Sequence, residues 1–275
     1  TQAPYLLPNM RGGARLGDVQ AVDSMVADGL TDVFNQYHMG ITAENIAEKF
    51  SIARDEQDVF SFSSQQKCAA AQEAGRFDDE IVAVTVKQRR KETIVDTDEY
   101  PKVDSSLDGL GKLRPAFKKD GTVTAANASG INDGASAAVL VSEDAPDNIN
   151  TENAVYLRDV RSSGCSPTTM GLGPIASVQK LLQYNGLSID DIDLWELNEA
   201  FAVQSIAVVR ELGMDIEKVN VNGGAIALGH PIGCSGARIV TTLIHELKRR
   251  GGRYGIAAMC IGGGQGIGCL IENKS

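Results

Sequence analysis

Apolar and polar positions follow helical spacing through the first third of the chain. Apolar residues recur every three or four positions over 43–50, directly after Thr42, a residue type favoured at helix N-caps. The same spacing runs from Arg54 to Ala74 and stops at Gly75, a residue type favoured just past helix C-termini. The pattern therefore predicts two helices, over 43–50 and 54–74.

The pattern then changes. β-branched residues at 81–86 predict a strand, and the polar stretch 87–120 predicts a long loop of the kind that usually carries function. Beyond it, short apolar strands alternate with amphipathic helices and glycine-rich turns, which is typical of an α/β fold. The predicted strands are 135–142, 193–197 and 219–221, the helices are 201–212 and 237–250, and 256–261 forms a hairpin with 266–272. The polar connector 144–153 is the best candidate for a domain boundary.

Composition narrows the class of protein. The 275 residues are enough for about two domains, and a hydrophobic share of 43% argues against a disordered chain. Lys and Arg number 26 against 36 Asp and Glu, so a net charge of −10 gives no general attraction to nucleic acid or an anionic membrane. No apolar run reaches the ~18–20 residues of a membrane span, and the first ten residues do not resemble a signal peptide. Five widely spaced cysteines without a CxxC pair predict neither a disulfide framework nor a zinc site, and they favour the reducing cytoplasm.

Three polar segments, two of them rich in glycine, each follow a predicted strand, where α/β proteins place their ligand sites. They are Asn-Glu-Ala-Phe at 198–201, the longer segment 220–236, and 260–268. Neither the dinucleotide-binding spacing G-x-G-x-x-G nor a P-loop occurs in them, so a nucleotide-binding fold of either kind is a poor interpretation.

Histidine is scarce, so each of the three can be weighed separately. His245 lies in a regular amphipathic helix and is interpreted as a boundary residue. His230 lies between a glycine and a proline in a turn, and local sequence leaves a structural histidine and a proton shuttle equally open. Glycines beside Cys260 expose its thiol and free backbone N–H groups for a ligand. The cysteines interpreted as structural are Cys68, Cys234 and Cys269.

Together these segments resemble the thiolase family, the acetyl-CoA acetyltransferases and 3-ketoacyl-CoA thiolases. Residues 220–236 meet the pattern N-x-x-G-G-x-x-x-x-G-H-P-x-G-x-S-G at every position. Asn-Glu-Ala-Phe at 198–201 and Cys-x-Gly-Gly-Gly at 260–264 resemble the family's other two active-site loops, and shorter matches lie at 37–45, 114–117, 127–134 and 170–174. The resemblance covers the whole chain and implies a thiolase-like fold with layered α/β/α/β/α architecture.

The resemblance also implies an activity and site residues. Thiolases make or cleave a 3-ketoacyl-CoA or acetoacetyl-CoA through an acyl-cysteine intermediate, with coenzyme A thioesters as substrates and no permanently bound cofactor or metal. His230 would activate the nucleophilic cysteine and line an oxyanion hole, Cys260 would act as general acid and base, and Asn198 would position a water in an oxyanion hole. The backbone N–H of Gly262 would bind the other carbonyl oxygen. The residues expected to contact substrate are His38, Met39, Phe117, Ser129, Met170 and Phe201.

Thiolases carry the nucleophilic cysteine in a C-x-S-G-like turn, and none of the five cysteines lies in such a turn. The resemblance therefore implies that the chain corresponds to the part of a thiolase downstream of the nucleophile, inactive as an isolated piece. It implies a loop domain over 1–130, the remainder of the N-terminal half over 131–150 and the C-terminal domain over 151–275. It also implies a homo-oligomer, a dimer or tetramer. Acyl chain length and the direction of the reaction stay open.

Two other functions stay open on the sequence. The chain could be a non-catalytic CoA-binding or assembly subunit of a split thiolase. It could also be a condensing enzyme of the ketoacyl synthase type, although that group generally has a second histidine where this chain has Cys260.

Two basic clusters lie in the polar stretch 87–120. Because the chain carries a net charge of −10, the phosphates of CoA need local cations. We expect the second cluster, Lys112 to Lys119, to lie near the CoA nucleotide, since it adjoins Phe117. We expect the first cluster, Lys87 to Lys91, to serve contacts between subunits. A solvated loop face is the alternative for both.

Overall fold

The computed structural model describes residues 2–89, 91–144 and 154–274 of the chain. The predicted boundary at 144–153 therefore lies, apart from Asp144, outside the described residues, as does Arg90 of the first basic cluster. Among the described residues, no helix is long and apolar enough to cross a membrane.

The described part of the chain before residue 144 contains short strands and three α-helices. Its strands are β1 (Tyr5–Leu6), β2 (Val22–Asp23), β3 (Thr31–Asp32), β4 (Tyr37–His38), β5 (Val84–Gln88) and β6 (Lys91–Val95), and its helices are α1 (Met39–Phe50), α2 (Arg54–Glu73) and α3 (Leu107–Gly111). The strands form three antiparallel pairs, β1 with β2, β3 with β4 and β5 with β6. These pairs are separate two-stranded sheets, so the helices α1 and α2 supply most of the packing surface here.

The region after residue 154 is an α/β unit built on one four-stranded sheet. Its elements are β7 (Tyr156–Gly164), α4 (Gly173–Asn185), β8 (Leu194–Leu197), α5 (Ala202–Leu212), α6 (Ala225–Leu228), α7 (Ser235–Arg250), β9 (Tyr254–Ile261) and β10 (Gln265–Glu272). The strand order is β7-β10-β9-β8. β8 and β9 are parallel, whereas β10 runs antiparallel to both of its neighbours.

The alternation of side chains along the strands explains why both faces of this sheet are covered by helices. Trp195 and Leu197 of β8 point to the face where α4 and α5 pack, while Leu194 points to the opposite face, where α7 packs. Since successive strand residues point to opposite faces and every residue of β8 is buried, this strand needs cover on both sides. Helices α1 and α2 then pack on α5 and add a further layer.

Most of the long elements are close to their predicted bounds. The helix predicted over 54–74 is α2, the helix predicted over 237–250 is α7, and the C-terminal hairpin is β9 with β10. The first helix differs at its start. It begins at Met39 because the His38 side chain is the N-cap, its Nδ1 accepting from the Gly40 N–H at 3.0 Å. Thr42 lies inside the helix and donates its hydroxyl to the carbonyl of Met39, so the N-cap prediction is wrong.

Two predicted strands are wrong, and a third is displaced. Residues 135–142 form no strand, and Val139 in their middle is 90% exposed, because no described strand lies beside them to complete a ladder. The strand predicted over 219–221 is reduced to a single bridge between Val219 and Trp195. The strand predicted over 81–86 starts at residue 84, and the loop predicted over 87–120 contains β6 and α3.

Candidate active site

The segment 198–201, called here the Asn198 loop, follows β8 and opens α5. The backbone N–H of Asn198 donates to the carbonyl of Ala258 on β9 at 2.9 Å, which fixes the loop against the neighbouring strand. The Asn198 side chain is fully buried, its Nδ2 lies 3.4 Å from Nε2 of His230, and its Oδ1 has no hydrogen-bond partner in the described part of the chain. A buried amide oxygen normally has a partner, so this atom is suited to hold a water or a ligand group.

The segment 220–234, called here the His230 loop, carries its histidine into the same space. The backbone N–H of His230 donates to the carbonyl of Gly130 at 3.2 Å, and its Nδ1 lies 2.5 Å from the hydroxyl oxygen of Ser235. Burial, with a smaller effect of the Arg238 charge, lowers the pKa of His230 to about 4. The imidazole is therefore neutral near pH 7. A cavity of about 360 Å³ adjoins it.

The segment 260–264, called here the glycine loop, places a buried thiol at the end of β9. Burial raises the pKa of Cys260 to about 12, so the group is a protonated thiol near pH 7. A Cβ at Gly262 would lie 2.4 Å from Cε of Met39, which shows how closely α1 approaches this loop. Gly264 has a φ of +86°, which favours glycine, and its carbonyl accepts from the N–H of Cys165 at 2.7 Å.

Aromatic side chains form a wall beside the thiol. His38 stacks on Phe117 with ring centroids 4.6 Å apart, and Phe117 meets Phe201 edge-on at 6.1 Å. Burial lowers the pKa of His38. Phe117 can lie this close to α1 only because Gly40 is glycine, since a Cβ there would lie 2.2 Å from the Phe117 ring.

Ser129 connects the wall to the Asn198 loop, its backbone N–H and hydroxyl both donating to the carbonyl of Ala200, at 3.0 and 3.1 Å. The structure thus brings the predicted residues into two adjoining groups. Asn198 and His230 form the polar group. The apolar group is a single hydrophobic cluster that includes the Cys260 thiol. Its other predicted members are Met39, Phe117, Met170 and Phe201. In the described ranges no set of three or more His, Cys, Asp or Glu side chains is placed to hold a metal ion.

A buried hydrogen-bond network behind the site is not predicted from the sequence. The Glu199 carboxylate is buried and accepts from Asn220 Nδ2 at 2.7 Å, from the Ser64 hydroxyl at 2.7 Å and from the Ile226 N–H at 3.2 Å. The Ser64 oxygen in turn accepts from the N–H of Gly224 at 3.0 Å. Helix α2 therefore joins the Asn198 loop to the His230 loop.

Ser235 is also absent from the predicted site residues, although the motif at 220–236 contains it. Its position five residues after the histidine, at the start of α7, is the sequence signal that indicates a contact with the imidazole. Ser64 gives no comparable signal, because it lies 135 residues from its partner Glu199.

Comparison with known proteins identifies the family. Residues 1–144 match the family model for the thiolase N-terminal domain, and residues 151–273 match that for the thiolase C-terminal domain. The chain belongs to the thiolase family. This confirms the predicted family and, with the solved structures below, the predicted α/β thiolase fold.

Relatives of this thiolase match along nearly all of its length. An acetyl-CoA acetyltransferase of Chromobacterium violaceum is 55% identical over 271 residues, covering 98% of this chain and 69% of the relative. The solved acetyl-CoA acetyltransferase of Bacillus anthracis superposes with a TM-score of 0.92 at 46% identity, covering 98% of this chain and 68% of that one. Human mitochondrial 3-ketoacyl-CoA thiolase, solved in complex with CoA, gives a TM-score of 0.89 at 44% identity, with 100% and 68% covered.

Proposed function

We propose that this thiolase transfers acyl groups between coenzyme A thioesters, making or cleaving the carbon–carbon bond of a 3-ketoacyl-CoA. The observation that carries the proposal is the 3.4 Å contact between the buried amide of Asn198 and the neutral imidazole of His230, beside a loop that holds a buried thiol. The names of its relatives, acetyl-CoA acetyltransferase and 3-ketoacyl-CoA thiolase, support the same chemistry.

Each site residue has a role that suits its protonation state. His230 accepts the proton of the nucleophilic thiol at Nε2, because its ring is neutral near pH 7. Cys260, a protonated thiol near pH 7, donates its proton to the α-carbon in the cleavage direction, and in the condensation direction its thiolate form removes the α-proton. Asn198 holds a water against one thioester oxygen, and the N–H of Gly262 binds the other, so that both oxyanions meet fixed donors. His38, Met39, Phe117, Ser129, Met170 and Phe201 contact the acyl and pantetheine parts of the substrate.

The proposed reaction passes through an acyl-cysteine, and none of the chain's five thiols is suited to be the acylated one. The thiolate is the nucleophilic form of cysteine, and burial raises the pKa of every one of these thiols, which are Cys68, Cys165, Cys234, Cys260 and Cys269. We therefore propose that the acyl group is carried by another thiol, in keeping with the upstream position predicted from the sequence.

Peptide mapping after incubation with acetyl-CoA tests this assignment. We expect no stoichiometric gain of an acetyl mass on any of the five cysteine peptides. Acetylation of Cys165 or Cys234 would overturn it and would make that residue the nucleophile.

Variants in the complete enzyme test the roles of His230 and Cys260. Cys260→Ala should abolish condensation while leaving the acylation half-reaction largely intact, because the α-proton is removed after acyl transfer. His230→Ala should slow acylation itself. Cys269→Ala is the matched control, since Cys269 is a partly buried thiol on β10 outside the site. Equal loss of both half-reactions in Cys260→Ala would contradict its assignment to proton transfer alone.

The organisation predicted from the sequence is part of the proposal. We place a loop domain at 1–130, the remainder of the N-terminal half at 131–150 and the C-terminal domain at 151–275; the single sheet that starts at residue 156 supports the last of these. A homo-oligomer, a dimer or tetramer, is supported by large exposed apolar side chains such as Tyr5, Leu16 and Phe34, and light scattering tests it. Unpaired cysteines support a cytoplasmic location.

A further inference from the structure

Ser235 lies directly against the imidazole of His230. It occupies the first turn of α7, it is only 1% exposed, and its Oγ is 2.5 Å from His230 Nδ1 and 3.0 Å from the carbonyl oxygen of Pro231. A serine hydroxyl can donate one hydrogen bond and can accept others. The direction of these two bonds therefore decides which ring nitrogen carries the proton.

The group on the other side of the ring fixes that direction. Asn198 Nδ2, 3.4 Å from His230 Nε2, is an amide nitrogen, which donates and does not accept. A hydrogen on Nε2 would point at this donor, so the neutral ring carries its single hydrogen on Nδ1. Nδ1–H then donates to Ser235, and the Ser235 hydroxyl donates to the carbonyl of Pro231.

We propose that Ser235 is a positioning residue that holds His230 in the Nδ1–H tautomer and leaves Nε2 open to accept a proton. The inference rests on the proposed function for the identity of the proton donor, the nucleophilic thiol. When the proton moves from that sulfur to Nε2, the ring becomes an imidazolium, and the bond from Nδ1–H to Ser235 stays in place. A carboxylate in this position would also orient the ring, but its charge would favour the imidazolium before substrate binds.

Nitrogen NMR of the ¹⁵N-labelled protein reads the tautomer directly. The chain has three histidines, and His38→Gln and His245→Gln variants identify which signals belong to His230. At pH 7 we expect a protonated Nδ1 and an unprotonated Nε2. A protonated Nε2 in the unsubstituted protein would overturn the proposal, whether or not any variant folds.

Two substitutions at Ser235 separate positioning from a general structural role. Ser235→Ala removes the acceptor of Nδ1–H and should turn the single tautomer into a mixture. Ser235→Asp should move the His230 titration midpoint up by about 1–3 pH units, because an adjacent carboxylate stabilises the imidazolium. An unchanged tautomer in Ser235→Ala, or an unchanged midpoint in Ser235→Asp, would contradict the proposal.

Ser177→Ala is the matched control for these variants. Ser177 is also a fully buried serine in the first part of a helix, and its hydroxyl lies near backbone carbonyls of α4 alone. Its loss should leave the His230 signals unchanged. Because the tautomer is measured without substrate, a failure of this inference is distinguishable from a failure of the proposed acyl transfer.

Discussion

Burial sets the protonation of Cys260 and His230, the two side chains to which we assign proton transfer. It raises the pKa of Cys260 to about 12 and lowers the pKa of His230 to about 4. Burial penalises whichever form is charged, so the thiol keeps its proton and the imidazole lacks its second one. Near pH 7 both side chains are therefore uncharged.

This protonation predicts a pH dependence that differs between the two directions of the reaction. In the proposed mechanism condensation needs Cys260 as a thiolate, and the thiolate fraction of a group with a pKa near 12 rises about tenfold per pH unit below that value. Where proton removal by Cys260 limits the rate, we expect condensation to accelerate from pH 7 to 9. Cleavage, which uses the protonated thiol, should change little. Initial rates in both directions over this range provide the measurement, and a condensation rate that levels off near pH 7 would contradict the assignment.

At the scale of single residues, the sequence predicts the groups that lie inside motifs. His230, Asn198 and Cys260 each lie in a motif beside a predicted strand. The structure places Asn198 directly after β8, Cys260 near the end of β9, and His230 after the single bridge at Val219. Ser64 and Glu199 are different, because their roles depend on a hydrogen bond between residues 135 positions apart. No local sequence pattern indicates a hydrogen-bond partner so far away in the chain. The side chains that orient the loops can therefore be identified only from the folded structure.

At the scale of elements, helix α2 is a brace that joins the Asn198 loop to the His230 loop. Its Ser64 hydroxyl donates to Glu199 in the Asn198 loop and accepts from Gly224 in the His230 loop. Ser64→Ala leaves a buried carboxylate and a backbone N–H each short of one partner. We expect a loss of about 1–3 kcal/mol in the free energy of unfolding, together with a lower kcat.

Ser61→Ala is the control for this prediction. Ser61 is equally buried and lies three residues earlier on the same helix, but its hydroxyl donates to the carbonyl of Gln57 within α2. Denaturant unfolding and steady-state kinetics of the two variants provide the comparison. Equal effects of both substitutions would mean that the brace contributes nothing beyond ordinary packing.

The periodicity of apolar residues predicts those helices and strands that bury one face along their whole length. Helix α7 is an example, with Ile239, Leu243 and Leu247 on one face against the sheet. The amino-acid composition of a segment predicts strands less reliably. A strand needs a neighbouring strand to pair with, and the composition of the segment itself does not specify that neighbour. Residues 135–142 contain the same residue types as a strand, yet the structure leaves Val139 and Leu140 exposed.

At the scale of the whole molecule, the acidic chain needs local cations for CoA. Lys118, whose Nζ lies 3.9 Å from a Glu48 carboxylate oxygen, and Lys119 are exposed close to Phe117 in the chain. Reversing both charges, Lys118→Glu with Lys119→Glu, should raise the KM for acyl-CoA but not for an acyl-pantetheine that lacks the nucleotide. The control reverses Lys87 and Lys91 on the β5–β6 hairpin. Equal changes for both substrates, or none, would reject the predicted CoA contact.

The buried glutamates predict how stability depends on pH. Burial, opposed by the Arg238 charge, raises the pKa of Glu196 to about 8, and burial raises that of Glu80 to about 7. An unfolded glutamate has a pKa near ~4.3. Between that pH and the raised pKa values of these two groups, the folded chain therefore binds more protons than the unfolded chain. The stability that these groups contribute is present below about pH 4.3 and is lost as the pH rises to 8.

Carboxylates with a lowered pKa act in the opposite sense in acid. Glu246 and Glu272 lose their stabilising ion pairs as the pH falls below their ordinary range, so we expect Tm to be highest in mildly acidic solution. Thermal unfolding from pH 4 to 9 provides the measurement. Glu196→Gln should flatten the decline above pH 6, whereas substitution of the exposed Glu217 by Gln should not. A Tm that rises from pH 6 to 8 would contradict the prediction.

The place of β10 in the sheet has a consequence for synthesis on the ribosome. β10 lies between β7 and β9, although it is the last of the described strands, and its pairing with β7 joins residues about a hundred positions apart. Among the described strands β7 pairs with β10 alone, so β7 emerges from the ribosome long before this partner exists. Until residue 272 has been translated, the edges of β7 and β9 stay open, and such edges are where nascent chains associate wrongly. A chaperone that binds β7 and β9 during translation, before β10 has been synthesised, would protect these open strand edges.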